Sequence, residues 1–225
     1  MTRFSKAEMS SASKTLRKNI KAGKGYLSYI SMKDMNGKTH KLAKAQYMGL
    51  FEAQNVFIMK NGRYPNYVTM NSTANNPLVM DYQDNGYTCG PTSLSMAIQM
   101  LFSYVSEKKC AKACGTVIGS GTVPDKLIAG AKSLGYKVAK ISRNKTAVKS
   151  ALSKGEPVIA HIQTKPATCL GYVGDYGHYI LIYGMTSDGK YKIADPTKGI
   201  KTCKPTILDH ATNGRAIYYY KVGII

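Results

Sequence analysis

Apolar positions recur in two rhythms along this chain. Between residues 90 and 104, Leu94, Ala97, Ile98, Leu101 and Phe102 follow steps of three and four, the spacing of one helix face. The same rhythm predicts helices near 123–134 and 145–154. Elsewhere the apolar residues come in blocks of strand length: 136–141 (YKVAKI), 157–163 (PVIAHIQ), 178–184 (HYILIYG), 190–195 (KYKIAD) and 215–222 (RAIYYYKV). The turn TSDG joins two of these blocks into a hairpin, with Asp188 a turn residue. Helices first, then a mostly antiparallel sheet, is an α+β layout.

The first part of the chain repeats itself. Residues 6–32 align without a gap on 44–70, at an offset of 38. Lys6 and Lys44, Ala7 and Ala45, Ile20 and Ile58, Tyr26 and Tyr64, Tyr29 and Tyr67, and Met32 and Met70 coincide. Each unit reads as a helix, a glycine turn and a short extended tail. In the second, Gly62 stops the helix and Pro65 prevents its resumption. The expectation is a small, mainly helical repeat domain over 1–70, a polar linker at 71–81 and a second domain over 82–225. One unit is too short to bury a core, so the two pack together or against the larger domain. Two roles fit: a helical prodomain or dimerisation arm, or a binding module whose tyrosines and cations face a polymer.

Charge narrows the partner. The net charge is +20. Residues 1–80 hold 13 Lys and Arg against 3 acids, and 81–225 hold 19 against 9, so each part carries +10 and the first is the denser. Such a field favours a polyanion: nucleic acid, an anionic membrane surface or an acidic wall polymer. No nucleic-acid motif accompanies it, and tyrosines beside proline are not an RNA-binding signature. No apolar run nears the ~20 residues of a membrane span. The basic start lacks an apolar core of signal-peptide length. The expectation is a monomer made in the host cytoplasm without a signal peptide and without membrane insertion, let out to its target by another factor.

Five cysteines, at 89, 110, 114, 169 and 203, exclude complete pairing in a monomer and fit a reducing compartment. Cys110 and Cys114, one helical turn apart, read as plain helix residues. Cys89 is different. In CGPTSLSMAIQM it opens a helix, where the dipole favours a thiolate. A buried, inert cysteine is the ordinary alternative. A nucleophile needs a base, and the base an orienting partner. His178 opens its strand beside the glycine-rich GYVGDYGH, and the hairpin brings Asp195 back towards it. His161, in VIAHIQ, is the rival base and reads as a packed histidine. His40 and His210 read as surface residues. Gln83, six residues before Cys89, is the candidate oxyanion donor with the Cys89 N–H.

These motifs resemble known families. Q-x5-CGPTSL, then GHYILIYG, then YKIADP is similar to papain-like cysteine peptidases, nearest to the group containing bacteriocin-leader peptidases. The resemblance implies Cys89 as nucleophile, His178 as base, Asp195 as its orienter and Gln83 as oxyanion donor. The transporter segments that usually accompany leader peptidases are missing. NGRYPNYVTM, within 41–70, resembles the pseudomurein-binding repeat and implies wall contacts by Arg63, Tyr64, Asn66 and Tyr67. The first unit, AGKGYLSYISM, lacks its Pro and Asn and resembles a degenerate copy.

Together they resemble the pseudomurein endoisopeptidases, lysins of methanogen viruses and proviruses. That implies a papain-like peptidase domain behind binding repeats, cutting an ε-Ala–Lys isopeptide bond in the cross-bridges of an acidic archaeal wall. It also implies assistance by a divalent cation such as Ca²⁺, although the sequence carries no EF-hand loop. Two other functions remain open: a non-catalytic wall-binding protein, and a transglutaminase-like acyl transferase in which an amine replaces water.

Overall fold

A computed structural model describes residues 1–215 and 217–225. In chain order, β1 (Arg3–Ser5), α1 (Lys6–Lys21) and β2 (Tyr29–Lys33) are followed by β3 (Thr39–Ala43), α2 (Lys44–Asn61) and β4 (Tyr67–Thr69). Each N-terminal unit is therefore strand–helix–strand: the expected helix and extended tail, with a further short strand ahead of the helix. The strands pair between units, β1 with β4 and β2 with β3. Phe4 faces Val68 in one ribbon and Leu42 faces Ile30 in the other, so the register repeats with the 38-residue offset. Neither unit can complete a ribbon alone, because each lends its partner a strand.

The second unit is followed by a segment, 71–88, without helix or strand. It lies pinned along α2. Asn55 Nδ2 donates to the Pro77 carbonyl at 2.7 Å, and the Ala74 N–H donates to the Ala45 carbonyl at 2.9 Å. Gly49 permits this approach: a Cβ there would meet the Ser72 carbonyl oxygen at 2.3 Å. Backbone groups of residues 72–77 thus hold this strap, the segment read as a polar linker, against α2.

The rest comprises α3 (Cys89–Met100), α4 (Glu107–Ala113), α5 (Pro124–Ser133), β5 (Tyr136–Ile141), α6 (Lys145–Ser153), β6 (Val158–Gln163), β7 (Gly177–Met185), β8 (Tyr191–Asp195), β9 (Gly199–Cys203), α7 (Pro205–Leu208) and β10 (Tyr219–Ile224). The sheet order is β5-β10-β6-β7-β8-β9, every neighbouring pair antiparallel. The last expected strand, 215–222, is β10 displaced towards the C-terminus; Ala216 lies outside the described residues. Both sheet faces are covered, so its strands read as apolar blocks and not as alternations. Ile159, Tyr179, Leu181 and Tyr220 pack with α3 and the N-terminal units. Val158, Ala160, Ile180, Ile182 and Tyr219 pack with α6 and α7.

The N-terminal units also cap the helix that begins at Cys89. A helix leaves its last carbonyls without partners. Here the Tyr26 hydroxyl donates to Met100 at 3.1 Å, Arg17 Nη1 to Leu101 at 3.1 Å and the Ser13 hydroxyl to Phe102 at 2.6 Å. The Arg17 cation also suits the negative end of the helix dipole. Phe102 then closes the seam. Its ring meets Phe51 at 4.9 Å, Tyr26 at 5.6 Å and Tyr47 at 6.0 Å.

No helix among the described residues is long and apolar enough to cross a membrane.

Candidate active site

Cys89 is the first residue of α3, which packs along β7 with its apolar side buried. Pro91 sits in the first turn, where its missing N–H costs nothing. On β7, His178 falls in step with Ile180 and Ile182; on β8, Asp195 falls in step with Ile193. Alternation therefore puts both side chains on one face of the sheet. His178 Nε2 lies 2.9 Å from Asp195 Oδ1, with the two side chains 3 % and 0 % exposed. Nδ1 is the nitrogen not committed to Asp195, and Cys89 lies near enough for thiol and imidazole to shift each other's titration.

Electrostatics favour an ion pair. Burial pushes the Cys89 thiol up, but the hydrogen bond and charge of His178, with the N–H groups of Tyr179 and Gly90, outweigh it and hold it below the usual thiol value. Burial lowers His178, while Asp195 and Cys89 raise it further, to about 9. Asp195 is raised by burial but held low on balance by His178, the Thr197 N–H and the Tyr172 hydroxyl. The thiolate–imidazolium pair exists above the Cys89 value and below the His178 value. Amide cleavage is accordingly expected to follow a bell-shaped pH profile. It falls on the acid side as the thiolate takes up its proton and on the alkaline side through about 9 as His178 loses its own. A rate of hydrolysis still climbing past that point contradicts this assignment.

Turn and loop chemistry complete the site. The Thr197 and Lys198 N–H groups donate to Asp195 Oδ1 at 2.8 and 3.2 Å, folding the turn over the carboxylate. The Gln83 N–H donates to the Pro196 carbonyl at 3.0 Å. Its side-chain nitrogen donates to the Asn85 carbonyl at 2.7 Å, and its oxygen accepts from the Thr197 hydroxyl at 3.0 Å. Gln83 thus bridges the loop leading into Cys89 and the turn leaving Asp195, with one amide hydrogen committed to Asn85.

His161 stands apart from this cluster. It stacks on Tyr179 at 4.3 Å, and burial with the charges of Arg143 and His178 pushes it down to about 4, so it is neutral near pH 7. Asp188 is exposed in its turn and pairs with Lys190 at 2.9 Å. His40 is half-buried, 2.8 Å from Asp34, whereas His210 is exposed.

Topology corrects the cysteine reading. β9 returns beside β8 and brings Cys203 to a disulfide with Cys169, Cα atoms 5.5 Å apart. Cys89, Cys110 and Cys114 are free. Cys110 lies in α4 and Cys114 at its end, and burial pushes both thiols up, Cys114 to about 11.

Tyr172 was not among the residues the sequence singled out. It follows the turn holding Cys169, and its hydroxyl donates to Asp195 at 2.9 Å. Only its place in the glycine-rich run before His178 pointed that way.

The four wall-contact candidates are exposed on the second unit. Tyr67 lies under Arg3 at 4.7 Å, Tyr64 near Lys6 at 5.9 Å, and the Asn66 carbonyl accepts from the Lys6 N–H at 2.9 Å. Arg63 lies apart from these contacts, over Phe57 at 5.3 Å.

Among the described residues no three His, Cys, Asp or Glu side chains converge to hold a metal ion. Asp81, Asp84 and Glu107 lie near enough to raise Asp81 to about 6, burial being the larger cause, but Glu107 Oε1 is occupied by the Asp84 N–H at 3.0 Å. Glu107 Oε2 is buried without a partner, but the three carboxylates do not converge, so among the described residues they form no site for the divalent cation that the resemblance implies. A surface hollow of about 600 Å³ between α6, β5 and β10 is lined by Lys140, Lys154, Glu156 and Lys221 and contains no cysteine.

Several solved structures are similar to this chain, one of them at a TM-score of 0.50. The peptidase domain of Streptococcus ComA, a bi-functional ABC transporter of a quorum-sensing pathway, is 17% identical, with a TM-score of 0.50 over 65% of this chain and 98% of that one. A double glycine motif protease from an AMS/PCAT transporter, solved with its leader peptide, is 19% identical, with a TM-score of 0.46 over 64% and 91%. A fragment of prointerpain A from Prevotella intermedia is 18% identical, with a TM-score of 0.38 over 68% and 48%. No curated protein sequence matches significantly. The family comparison reaches further into the sequence. A model described as Peptidase_C39 like matches residues 64–222, from the tail of the second unit through β10, and by that match over more than half its length the chain belongs to the Peptidase_C39 like family.

Proposed function

We propose that this protein is a cysteine endopeptidase that cuts the ε-Ala–Lys isopeptide bond of pseudomurein cross-bridges. The observation that carries the chemistry is a thiol held low at a helix start, beside a histidine held high by a buried aspartate. The Cys89 thiolate attacks the amide carbonyl carbon. The oxyanion takes hydrogen bonds from the Cys89 N–H and the remaining amide hydrogen of Gln83. His178 passes its Nδ1 proton to the leaving lysine ε-amine as the C–N bond breaks, giving a thioester. It then takes a proton from water, which adds to the thioester, and returns it to the departing Cys89 sulfur. Asp195 holds the imidazole through Nε2 in both steps.

The substrate rests on the NGRYPNYV resemblance and on charge. The first unit repeats the second unit's cation–tyrosine pairs: Lys41 lies over exposed Tyr29 at 3.8 Å as Arg3 lies over Tyr67, and Lys44 lies over Tyr26, part of the seam with α3, at 5.0 Å as Lys6 approaches Tyr64. This matched pair supports a module that meets an anionic polymer through both units, the degenerate one included. The +20 charge supports capture at the wall, weakening with salt.

Isolated pseudomurein sacculi test the reading, with turbidity and free ε-amino groups followed together. Clearing with release of lysine amines supports it. Binding with neither signal favours the wall-binding reading. Incorporation of an added amine in place of hydrolysis favours the acyl-transferase reading.

A further inference from the structure

Asp195 is fully buried, and its two oxygens are served unequally. Oδ1 accepts from His178, Thr197 and Lys198. Oδ2 has one donor among the described residues, the Tyr172 hydroxyl at 2.9 Å, which also reaches Oδ1 at 2.9 Å. The Tyr172 hydroxyl oxygen also lies 3.1 Å from His178 Nε2, and the Tyr172 ring stands edge-on to the imidazole at 5.3 Å. Burial and the Asp195 charge push the Tyr172 phenol far above its ordinary value, so it stays a donor.

Its loop is tied down on both sides. Cys169, three residues earlier, is bonded to Cys203 at the end of β9. Thr164 Oγ1 donates to the Gly174 carbonyl at 2.7 Å and accepts from the Tyr176 N–H at 3.0 Å.

We propose that Tyr172 is a positioning residue for the His178–Asp195 pair, and that the Cys169–Cys203 bond keeps its loop in register for that task. The proposal rests on the cysteine-peptidase reading. Its physical basis is the cost of a buried carboxylate oxygen without a donor. Without the hydroxyl, Asp195 binds its proton more readily at low pH and holds the imidazolium less firmly, so the Cys89 thiolate forms at a higher pH. The other ionisable groups around the pair are Cys89 from α3, His161 from β6, Tyr176 from the same loop and Lys198 from the β8–β9 turn. His161 is neutral near pH 7, and Lys198, 5.2 Å from the Tyr172 ring, is exposed.

The test uses the full chain and two readouts. The first is alkylation of Cys89 by iodoacetamide across pH, read by mass on the Cys89 peptide; the thiolate displaces iodide and no substrate is needed. The second is kcat and KM for cleavage of an Ala–Lys isopeptide. For Tyr172→Phe, the acid limb of alkylation is expected to rise by about half to one pH unit. The kcat is expected to fall about tenfold with KM nearly unchanged. A Cys169→Ser/Cys203→Ser variant moves the limb the same way by less. A Tyr172→Phe limb and kcat matching the wild type overturn the role of Tyr172. A wild-type limb in the double-serine variant overturns the role of the disulfide. A wild type that alkylates below the ordinary thiol range but cleaves nothing overturns the peptidase reading instead, while the limb shift still judges Tyr172.

Discussion

Cys89→Ala is expected to abolish amide cleavage, lowering kcat/KM by about 10⁴-fold to 10⁶-fold, while the protein still binds sacculi. The size follows from the division of labour. Without sulfur there is no acyl-enzyme, and His178 and Gln83 are left to assist a direct attack by water, which they are not placed to activate. Binding is expected to survive because the proposed wall contacts, Arg63, Tyr64, Asn66 and Tyr67, sit on the second N-terminal unit and not on α3. The substitution has a second signature. Cys89 contributes to holding His178 high, by hydrogen bond and by charge. Without it the imidazole should titrate below its wild-type value of about 9, as an NMR titration of the His178 ring reads directly. Equal cleavage by variant and wild type would falsify the nucleophile assignment.

Phe102→Ala is expected to destabilise the whole chain by about 3–5 kcal/mol. That is a large part of the ~5–15 kcal/mol of a typical domain. Phe102 is nearly fully buried and stands at the junction of α1, α2 and α3, against Tyr26, Tyr47 and Phe51. Its backbone lies in the left-handed region at φ 56°, which alanine tolerates no better. The variant keeps the backbone cost and loses the ring that offsets it. Because one apolar cluster runs from Phe4 through α3 to Val222, unfolding should remain a single transition, moved to lower denaturant. Circular dichroism and hydrogen exchange on both parts of the chain check this. Separate melting of residues 1–70, or a loss below about 1 kcal/mol, would show that the seam carries little of the stability.

How much of this was legible in the sequence depends on the range of the interaction. The His178–Asp195 encounter was, because a hairpin is local and alternation assigns both residues to one face. Cys89 was, because Gly-Pro and the apolar steps after it mark a helix start. The extended tails that become β2 and β4 were legible, but β1 and β3 and the pairing between units were not: β1 is three residues long, and its partner β4 lies more than sixty positions away. Nor was the docking of 71–81, since Asn55 and Gly49 read as unremarkable helix residues until the strap lies against them.

The repeat, the helix and strand rhythms, the +20 charge and the order of Cys89, His178 and Asp195 were determined by the sequence alone, since each is read along the chain without knowing which elements pack together. Tertiary structure decided the rest: the exchange of strands between the units, their capping of the far end of α3, the Cys169–Cys203 bond and the place of Tyr172. Those contacts join residues tens of positions apart. Their partners are set by how the sheet and helices pack, which no local pattern encodes.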